Sequence, residues 1–295
     1  MDQPAGDAPK ITQAMIDAYD EYTHLTLDRR DFMRKLRTLA GSGAAAAAIA
    51  PMLAASKAAA EIVPENDDRL TTTELTYRGA PSDIKAYAAI PKGATRLPAV
   101  IVIHENRGLN PHIRDVTRRM ALEGFLALAP DMLSPSGGTP EDEDKAREMI
   151  GQITPDIYGS NLLAAVEFLK GHENSTGNVG AIGFCWGGGQ VNRLATMSPD
   201  LKAGVAYYGT QAPVEDVPKI NAALMLHYAG LDERINKGID AYRSALETNN
   251  KDFQIFVYEG VNHAFNNDTS SARYNKEAAD LAWSRTVEFL KQKLA

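Results

Sequence analysis

The sequence predicts an α/β fold in which helices cover both faces of a mostly parallel central sheet. Three observations predict it. From about residue 65 onward, short apolar runs alternate with segments that have helical spacing of their apolar residues. The apolar runs have the length and composition of parallel strands that are buried on both faces. Turns and loops rich in Gly, Ser and Pro separate the two kinds of segment.

The predicted elements follow one another in a regular order. The first two strands join around residues 79–82 and are expected to form an antiparallel start to the sheet. No internal repeat and no domain boundary is evident after residue 65, so residues 65–295 are predicted to form one domain. The predicted strands are 70–77, 84–90, 99–103, 125–129, 178–184, 203–208, 223–227 and 254–258, and the main predicted helices are 114–123, 141–150, 162–170, 186–197 and 277–294.

The composition excludes some classes of partner. The chain has 295 residues, of which 44% are hydrophobic and 23% charged, as is typical of a globular protein that can bury a core. Its formal net charge is -7 and it has no block of Lys and Arg, which argues against a nucleic-acid partner. A small-molecule partner is expected, and the composition does not predict an oligomeric state.

Residues 1–64 have a different character. Residues 11–22 predict a short amphipathic helix, and Arg29 and Arg30 precede an Ala-rich run at 39–53 and a small-residue site at 58–60. This order resembles a twin-arginine export signal, which predicts a periplasmic or exported protein. The run is too short and too rich in Ala for a stable membrane anchor. The alternative is a cytoplasmic protein in which Asp28 caps a second helix and the segment packs on the domain as an extension.

The segment Gly183-Phe184-Cys185-Trp186-Gly187 has the pattern of a nucleophile elbow, with Cys where esterases usually carry Ser. An apolar strand ends at the cysteine and a helix is predicted directly after it. An elbow brings strand and helix so close that a Cβ at either flanking glycine would collide. A thiol at a helix N-terminus also feels a positive potential that favours the thiolate. Cys185 is therefore the candidate nucleophile, and a buried cysteine without chemistry is the alternative.

Two later loops carry a candidate acid and a candidate base. Asp232 follows the strand at 223–227, and His263 follows the strand at 254–258. The order nucleophile, acid, base is that of α/β-hydrolases, so this fold is predicted. His263 would take the thiol proton, and Asp232 would hold the imidazole tautomer. Glu233 is the main competitor for the role of the acid, and His227 is expected to be a buried histidine of the core.

A cluster of polar residues, 104–109, follows the strand at 99–103. This position normally supplies half of an oxyanion hole. We assign the oxyanion hole to the backbone N–H groups of Asn106 and Trp186.

Together, the elbow, the Gly230-Leu-Asp232-Glu-Arg-Ile235 turn, the Gly260-Val-Asn-His263-Ala-Phe265 turn and Glu105 resemble the dienelactone hydrolase family of α/β-hydrolases over residues 65–295. The resemblance implies a cofactor-free hydrolase of ester or lactone bonds, of the carboxymethylenebutenolidase class, that works through a thioester intermediate. It also implies that the Glu105 carboxylate interacts with the resting thiol and protects it from oxidation. The alternative for Glu105 is an ion pair with Arg107 or Arg114.

The sequence departs from the family where the substrate is recognised. The family holds a substrate carboxylate with arginines, one of them shortly after the histidine motif, and here that stretch reads His263-Ala-Phe-Asn-Asn267. We expect Arg107, Lys145 and Arg147 to replace that charge, and Tyr208 to shape the pocket.

Other functions remain open from the sequence. The same three residues could serve a thioesterase or a peptidase, and the scaffold could belong to a non-catalytic exported binding protein. No metal site is expected, because the six histidines show neither an HExxH motif nor two histidines four apart on a helix.

Overall fold

The computed structural model describes residues 10–24, 27–54 and 61–295. The strands in these ranges are β1 (Leu70–Tyr77), β2 (Ile84–Pro91), β3 (Leu97–Ile103), β4 (Leu126–Pro130), β5 (Ser175–Phe184), β6 (Leu201–Tyr207), β7 (Ala223–Ala229) and β8 (Phe253–Tyr258). They form one sheet in the order β1-β2-β4-β3-β5-β6-β7-β8. The pairs β1–β2 and β2–β4 are antiparallel and the other pairs are parallel. The predicted mostly parallel sheet with an antiparallel start is confirmed.

Helices lie on both faces of this sheet. In chain order they are α1 (Gln13–Thr23), α2 (Arg29–Ala40), α3 (Gly43–Leu53), α4 (Pro111–Leu122), α5 (Glu143–Gln152), α6 (Pro155–Lys170), α7 (Trp186–Met197), α8 (Glu233–Asn236), α9 (Ile239–Thr248) and α10 (Lys276–Lys293). On one face, apolar residues of α4 and α10 form a single buried cluster with the sheet. On the other face, α6, α7 and α9 do the same. Strand β3 contributes Val100 and Val102 to the first cluster and Ile101 and Ile103 to the second, so both of its faces are buried.

Several elements begin earlier than the sequence predicts. Helix α4 begins at Pro111 because the Asn110 side chain caps it, accepting a hydrogen bond from Ile113 N at 3.1 Å. Helix α6 likewise begins at a proline, Pro155. Strand β5 begins at Ser175 because that residue pairs with Leu97 at the start of β3. Local apolar periodicity does not reveal such caps and pairings.

The N-terminal helices form a cluster of their own, in which Phe32, Leu36 and Ile49 are buried. The expected cap of α2 is confirmed, since Asp28 Oδ1 accepts a hydrogen bond from Asp31 N at 2.7 Å. Among the described helices none is long and apolar enough to span a membrane alone; α2 and α3 reach that length and composition only as a pair bent by 113°. The small-residue site predicted at 58–60 lies outside the described residues.

The sheet brings the candidate site residues to one edge. Glu105 follows β3, Cys185 follows β5, Asp232 follows β7 and His263 follows β8. These four strands run parallel, so their carboxyl ends meet at the same edge of the sheet.

Candidate active site

Cys185 lies in a strained turn between β5 and α7, with φ 55° and ψ −116°. A residue with a Cβ rarely adopts a positive φ, and such strain persists only where the surrounding structure enforces it. The flanking glycines permit this turn. A Cβ on Gly183 would lie 2.2 Å from the carbonyl oxygen of Gly187, and one on Gly187 would lie 2.4 Å from the carbonyl oxygen of Ile103. The predicted steric requirement for glycine at both flanks is confirmed.

His263 and Asp232 form a buried pair. Nδ1 of His263 lies 2.5 Å from Oδ2 of Asp232. The other carboxylate oxygen, Oδ1, caps α8 by accepting a hydrogen bond from Ile235 N at 3.2 Å. Both carboxylate oxygens are therefore fixed, and the imidazole is held with Nδ1 toward the carboxylate. Glu233, the competitor for this role, has an exposed side chain in the first turn of α8.

The thiol of Cys185 lies between two imidazoles. Its Sγ is 3.4 Å from Nε2 of His24, at the end of α1. The ligand atoms of His24, Cys185 and His263 all lie within 4.8 Å of one another, and Nε2 of His263 is buried without a hydrogen-bond partner among the described residues. The two rings meet edge to face, with centroids 4.7 Å apart. His24 is not among the site residues predicted from the sequence.

Asp20 and Arg234 complete the surroundings of His24. Nδ1 of His24 lies 2.8 Å from the main-chain oxygen of Asp20 and 3.3 Å from its carboxylate oxygen Oδ1. A guanidinium nitrogen of Arg234 lies 3.0 Å from Nε2. The spacing of four residues between Asp20 and His24, at the end of a predicted helix, was the available sequence signal, because it places both side chains on one helix face.

The electrostatics of this cluster favour the thiolate. Burial alone would raise the pKa of Cys185, but the positive charges of His263 and His24 outweigh it and lower the pKa from 9.0 to about 6. Burial likewise opposes the imidazolium of His263, yet the charges of Asp20 and Asp232 raise its pKa well above the ordinary value. At neutral pH the site therefore favours a thiolate beside an imidazolium.

Glu105 has a different partner from the expected one. Its Oε2 accepts a hydrogen bond from Nδ2 of Asn267 at 2.8 Å, whereas the hydrogen bond of the thiol is to His24. Asn267 follows the histidine loop and offers an amide donor to the carboxylate, and the segment that carries His24 was not expected at the site. Glu105 is nevertheless buried, with 6% of its surface exposed.

Both residues assigned to the oxyanion hole lie at the cavity beside Cys185. Trp186 begins α7, so its N–H is one of the free donors of the helix N-terminus. The Asn106 side chain donates a hydrogen bond to the main-chain oxygen of Thr23 at 2.7 Å, which ties this loop to α1. The cavity has a volume of about 210 Å³ and is lined by Thr23, His24, Asn106, Arg147, Ile150, Gly151, Cys185, Trp186, Gln190, Tyr208, Thr210, Arg234, Ile235 and His263.

The residues predicted to bind substrate occupy two different places. Arg147 and Tyr208 line the cavity beside Cys185. Arg147 is 5% exposed and Tyr208 1%, and the Tyr208 hydroxyl and two guanidinium nitrogens of Arg147 have no hydrogen-bond partner among the described residues. Arg107 is not part of this lining; its guanidinium pairs with Glu143 and donates to the Tyr19 hydroxyl at 2.6 Å. The structure thus gives Arg107 a role in holding α1, because it joins Tyr19 of the N-terminal segment to Glu143 of α5.

The thiol and two imidazoles are also a ligand set that zinc accepts in proteins. However, the Arg234 guanidinium points at Nε2 of His24, the nitrogen that a metal would need. A divalent ion would have to displace this hydrogen bond and would add two positive charges beside the guanidinium, so this donor set does not fit a resident metal ion. A proton that moves from the thiol to the same nitrogen adds no net charge to the cluster.

The chain is similar to a known family and to several of its members. Residues 84–294 match the model of the "Dienelactone hydrolase family". A protein of Escherichia coli O157:H7 named "Putative carboxymethylenebutenolidase" is 33% identical over 255 residues, which cover 81% of this chain and 93% of that protein. A protein of the same name from Saccharolobus solfataricus is 31% identical over 257 residues, which cover 74% of this chain and 98% of that protein.

Solved structures give the same fold. The "Putative Dienelactone Hydrolase" of Klebsiella pneumoniae superposes with a TM-score of 0.70 at 30% identity, covering 76% of this chain and 99% of that chain. The dienelactone hydrolase of Anabaena variabilis superposes with a TM-score of 0.60 at 19% identity, covering 77% of this chain and 100% of that chain, and shows the fold alone. The predicted α/β-hydrolase fold is confirmed.

Proposed function

Because the chain belongs to the dienelactone hydrolase family, we propose that it hydrolyses ester or lactone bonds with Cys185 as nucleophile and His263 and Asp232 as base and orienter. The observation that carries this proposal is the position of the thiol. It lies at a strained elbow, lines a cavity of about 210 Å³ and lies within 4.8 Å of a ring nitrogen of His263.

The first half of the reaction forms a thioester. The thiolate sulfur attacks the carbonyl carbon, and the N–H groups of Asn106 and Trp186 stabilise the negative charge on the carbonyl oxygen. The carbon–oxygen bond then breaks, and the departing alkoxide takes a proton from the His263 imidazolium. The raised pKa of His263 supports its role as the acid in this step.

The second half releases the carboxylic acid and regenerates the thiolate. His263, now neutral, takes a proton from water, and the resulting hydroxide attacks the thioester carbon. The carbon–sulfur bond breaks and the thiolate leaves. Asp232 stabilises the imidazolium at both stages, which its short contact with Nδ1 supports. No cofactor takes part in these steps.

We propose further that the substrate carries an anionic group. Arg147 and Arg234 line the cavity, and both have nitrogens that lack a hydrogen-bond partner among the described residues. Arg147 is buried and pairs with Asp144 at 3.4 Å, and Arg234, whose side chain is 33% exposed, lies 3.6 Å from the Asp20 carboxylate. Each guanidinium has further donors, which are suited to a carboxylate. The Tyr208 hydroxyl is a further free donor at the same wall. Glu105, through Asn267, is assigned to holding the histidine loop in place.

We also propose that residues 1–64 are an extension of the catalytic domain, 65–295. Contacts across this division support it: Tyr22 donates to Asp144 at 2.5 Å, and Gln13 donates to Asn262 at 2.5 Å. Export through the motif around Arg29 and Arg30 stays a prediction, which fractionation of the cells that make the protein would test.

The test of the proposed function is a panel of neutral and anionic esters, lactones, thioesters and peptides, assayed with the native protein and with Cys185→Ala. Turnover of esters or lactones that disappears in the variant supports the proposal. A preference for thioesters or peptides would favour the alternative hydrolases, and unchanged turnover in Cys185→Ala would overturn the assignment of the nucleophile. If the native protein turns over none of these substrates and its Cys185 thiol resists iodoacetamide, a non-catalytic binding protein is favoured.

A further inference from the structure

We infer that His24 is a second catalytic histidine, supplied by the N-terminal segment, which takes the proton of the Cys185 thiol and holds the thiolate for attack. This inference rests on the proposed function and deepens it. Residue 24 lies outside residues 84–294, which the family model matches, so the family does not account for it.

The geometry of His24 suits a proton acceptor. A main-chain oxygen can only accept a hydrogen bond, so the Asp20 oxygen at 2.8 Å requires that Nδ1 of His24 carries a proton. In the neutral ring Nε2 then carries the lone pair, and this nitrogen is the one that lies 3.4 Å from Sγ of Cys185. Nδ1 of His24 also faces the Asp20 carboxylate at 3.3 Å, as Nδ1 of His263 faces Asp232. The thiol thus lies between two His–Asp pairs.

The charges around the thiol balance when it is ionised. The cluster comprises the thiol, the two imidazoles and the charged groups paired with them. The positive charges are those of His24, His263 and the guanidinium of Arg234, which lies 3.0 Å from His24 and 3.6 Å from the Asp20 carboxylate. The thiolate, Asp20 and Asp232 supply three negative charges. Because the cluster is neutral in this state, ionising the thiol leaves no uncompensated buried charge.

The position of His24 is fixed by the docking of α1 on the domain. Asn106 donates to the main-chain oxygen of Thr23 at 2.7 Å, next to His24 in the chain. Earlier in α1, Tyr19 accepts a hydrogen bond from Arg107, and the centroid of the Tyr22 ring lies 4.1 Å from the guanidinium carbon of Arg147. These noncovalent contacts hold His24 beside the nucleophile.

The two histidines then have different roles in the reaction. The Sγ–H proton passes to Nε2 of His24, which keeps it as the counter-ion of the thiolate. The His263 imidazolium then protonates the departing alkoxide, and neutral His263 later accepts a proton from the attacking water. When the carbon–sulfur bond breaks, the thiolate returns beside the His24 imidazolium, so protons and charges balance over the cycle.

The role of His24 bears on whether the N-terminal segment can be cleaved. His24 precedes Arg29 and the Ala-rich run, so cleavage after that run would remove it. The active enzyme must therefore retain α1.

The test compares His24→Gln, Asp20→Asn and the matched control His172→Gln, which lies before the opposite, N-terminal end of β5. The measurements, made on the full chain, are the pH dependence of Cys185 alkylation by iodoacetamide and the rate of the acylation burst with an activated ester. In His24→Gln we expect the pKa of the thiol to rise above about 6, with His263 still lowering it below the ordinary value, and acylation near pH 6.5 to fall by about 10-fold. Asp20→Asn should shift the pKa of the thiol in the same direction by less, and His172→Gln should change neither.

The inference is overturned if a folded His24→Gln protein keeps the native alkylation profile and acylation rate while Cys185→Ala is inactive, a result that leaves the proposed function intact. Activity that persists in Cys185→Ala would instead overturn the proposed function. The mass of the active protein as isolated from its own cells gives a second test that needs no variant: an active chain that begins after residue 54 would contradict the inference.

Discussion

Nδ1 of His263 lies 2.5 Å from Oδ2 of Asp232, although 31 positions separate the two residues in the chain. The contact exists because β7 and β8 are parallel neighbours, so the loops that follow them lie side by side. A buried carboxylate in this position holds the tautomer of the imidazole and stabilises its charged form. The pair is therefore a specific target for substitution.

Replacing Asp232 with Asn should lower kcat by about 10³-fold, because an amide no longer stabilises the imidazolium and can hold the wrong tautomer. Steady-state kinetics on the best ester of the panel measures this. The matched control is Glu233→Gln, which changes the adjacent, exposed carboxylate. If the two variants lose activity to the same extent, or if only the Glu233 variant does, Asp232 is not the orienter.

The positions of Cys185, Asp232 and His263 could be predicted from the sequence because each follows a short apolar strand directly. Parallel strands bring such positions to one edge of a sheet, so local patterns were sufficient for them.

The role of α1 could not be predicted in this way. The docking of His24 on Cys185 spans 161 positions and depends on side-chain contacts such as that between Asn106 and Thr23, which no local pattern encodes. The same contacts explain why Arg107, expected at the substrate, instead holds Tyr19.

The close approach of strand and helix at the elbow makes Gly183 sensitive to substitution. Gly183→Ala should lower the free energy of unfolding by about 2 kcal/mol or more and abolish activity, because the new Cβ would lie 2.2 Å from a backbone oxygen. Thermal or urea unfolding measures the loss. Gly43→Ala is the matched control, since a Cβ there meets nothing within 4 Å and lies in α3; it should be neutral or slightly stabilising. Equal stability of the two variants would contradict the close approach of strand and helix.

The lowered pKa of Cys185 predicts the pH dependence of its reactivity. The thiolate is the reactive form, so a lower pKa extends reactivity to lower pH. Alkylation should be nearly independent of pH above about 7 and should fall about tenfold per pH unit below about 6. The same protein unfolded in urea provides the control, where the profile should move to the ordinary thiol range. A native profile that coincides with the unfolded one would show that the two imidazoles do not lower the pKa of the thiol.

From the position of Arg147 in the cavity we expect the enzyme to prefer anionic substrates. Arg147→Met should raise KM for an ester that carries a carboxylate by about 10-fold or more, with a small effect on the neutral ester of the same shape. The control is Lys145→Met on the exposed face of the same helix, which should change neither constant. Equal effects of Arg147→Met on charged and neutral esters would argue that the residue shapes the cavity without binding an anion.

The most direct test of the central claim is the mass of the acyl-enzyme. The full chain is mixed with an activated ester and quenched in acid during the burst, and the intact protein and its proteolytic peptides are weighed. We predict one added acyl group, located on the peptide that contains Cys185, and none in Cys185→Ala. An acyl group on any other residue, or full turnover by Cys185→Ala, would contradict the account.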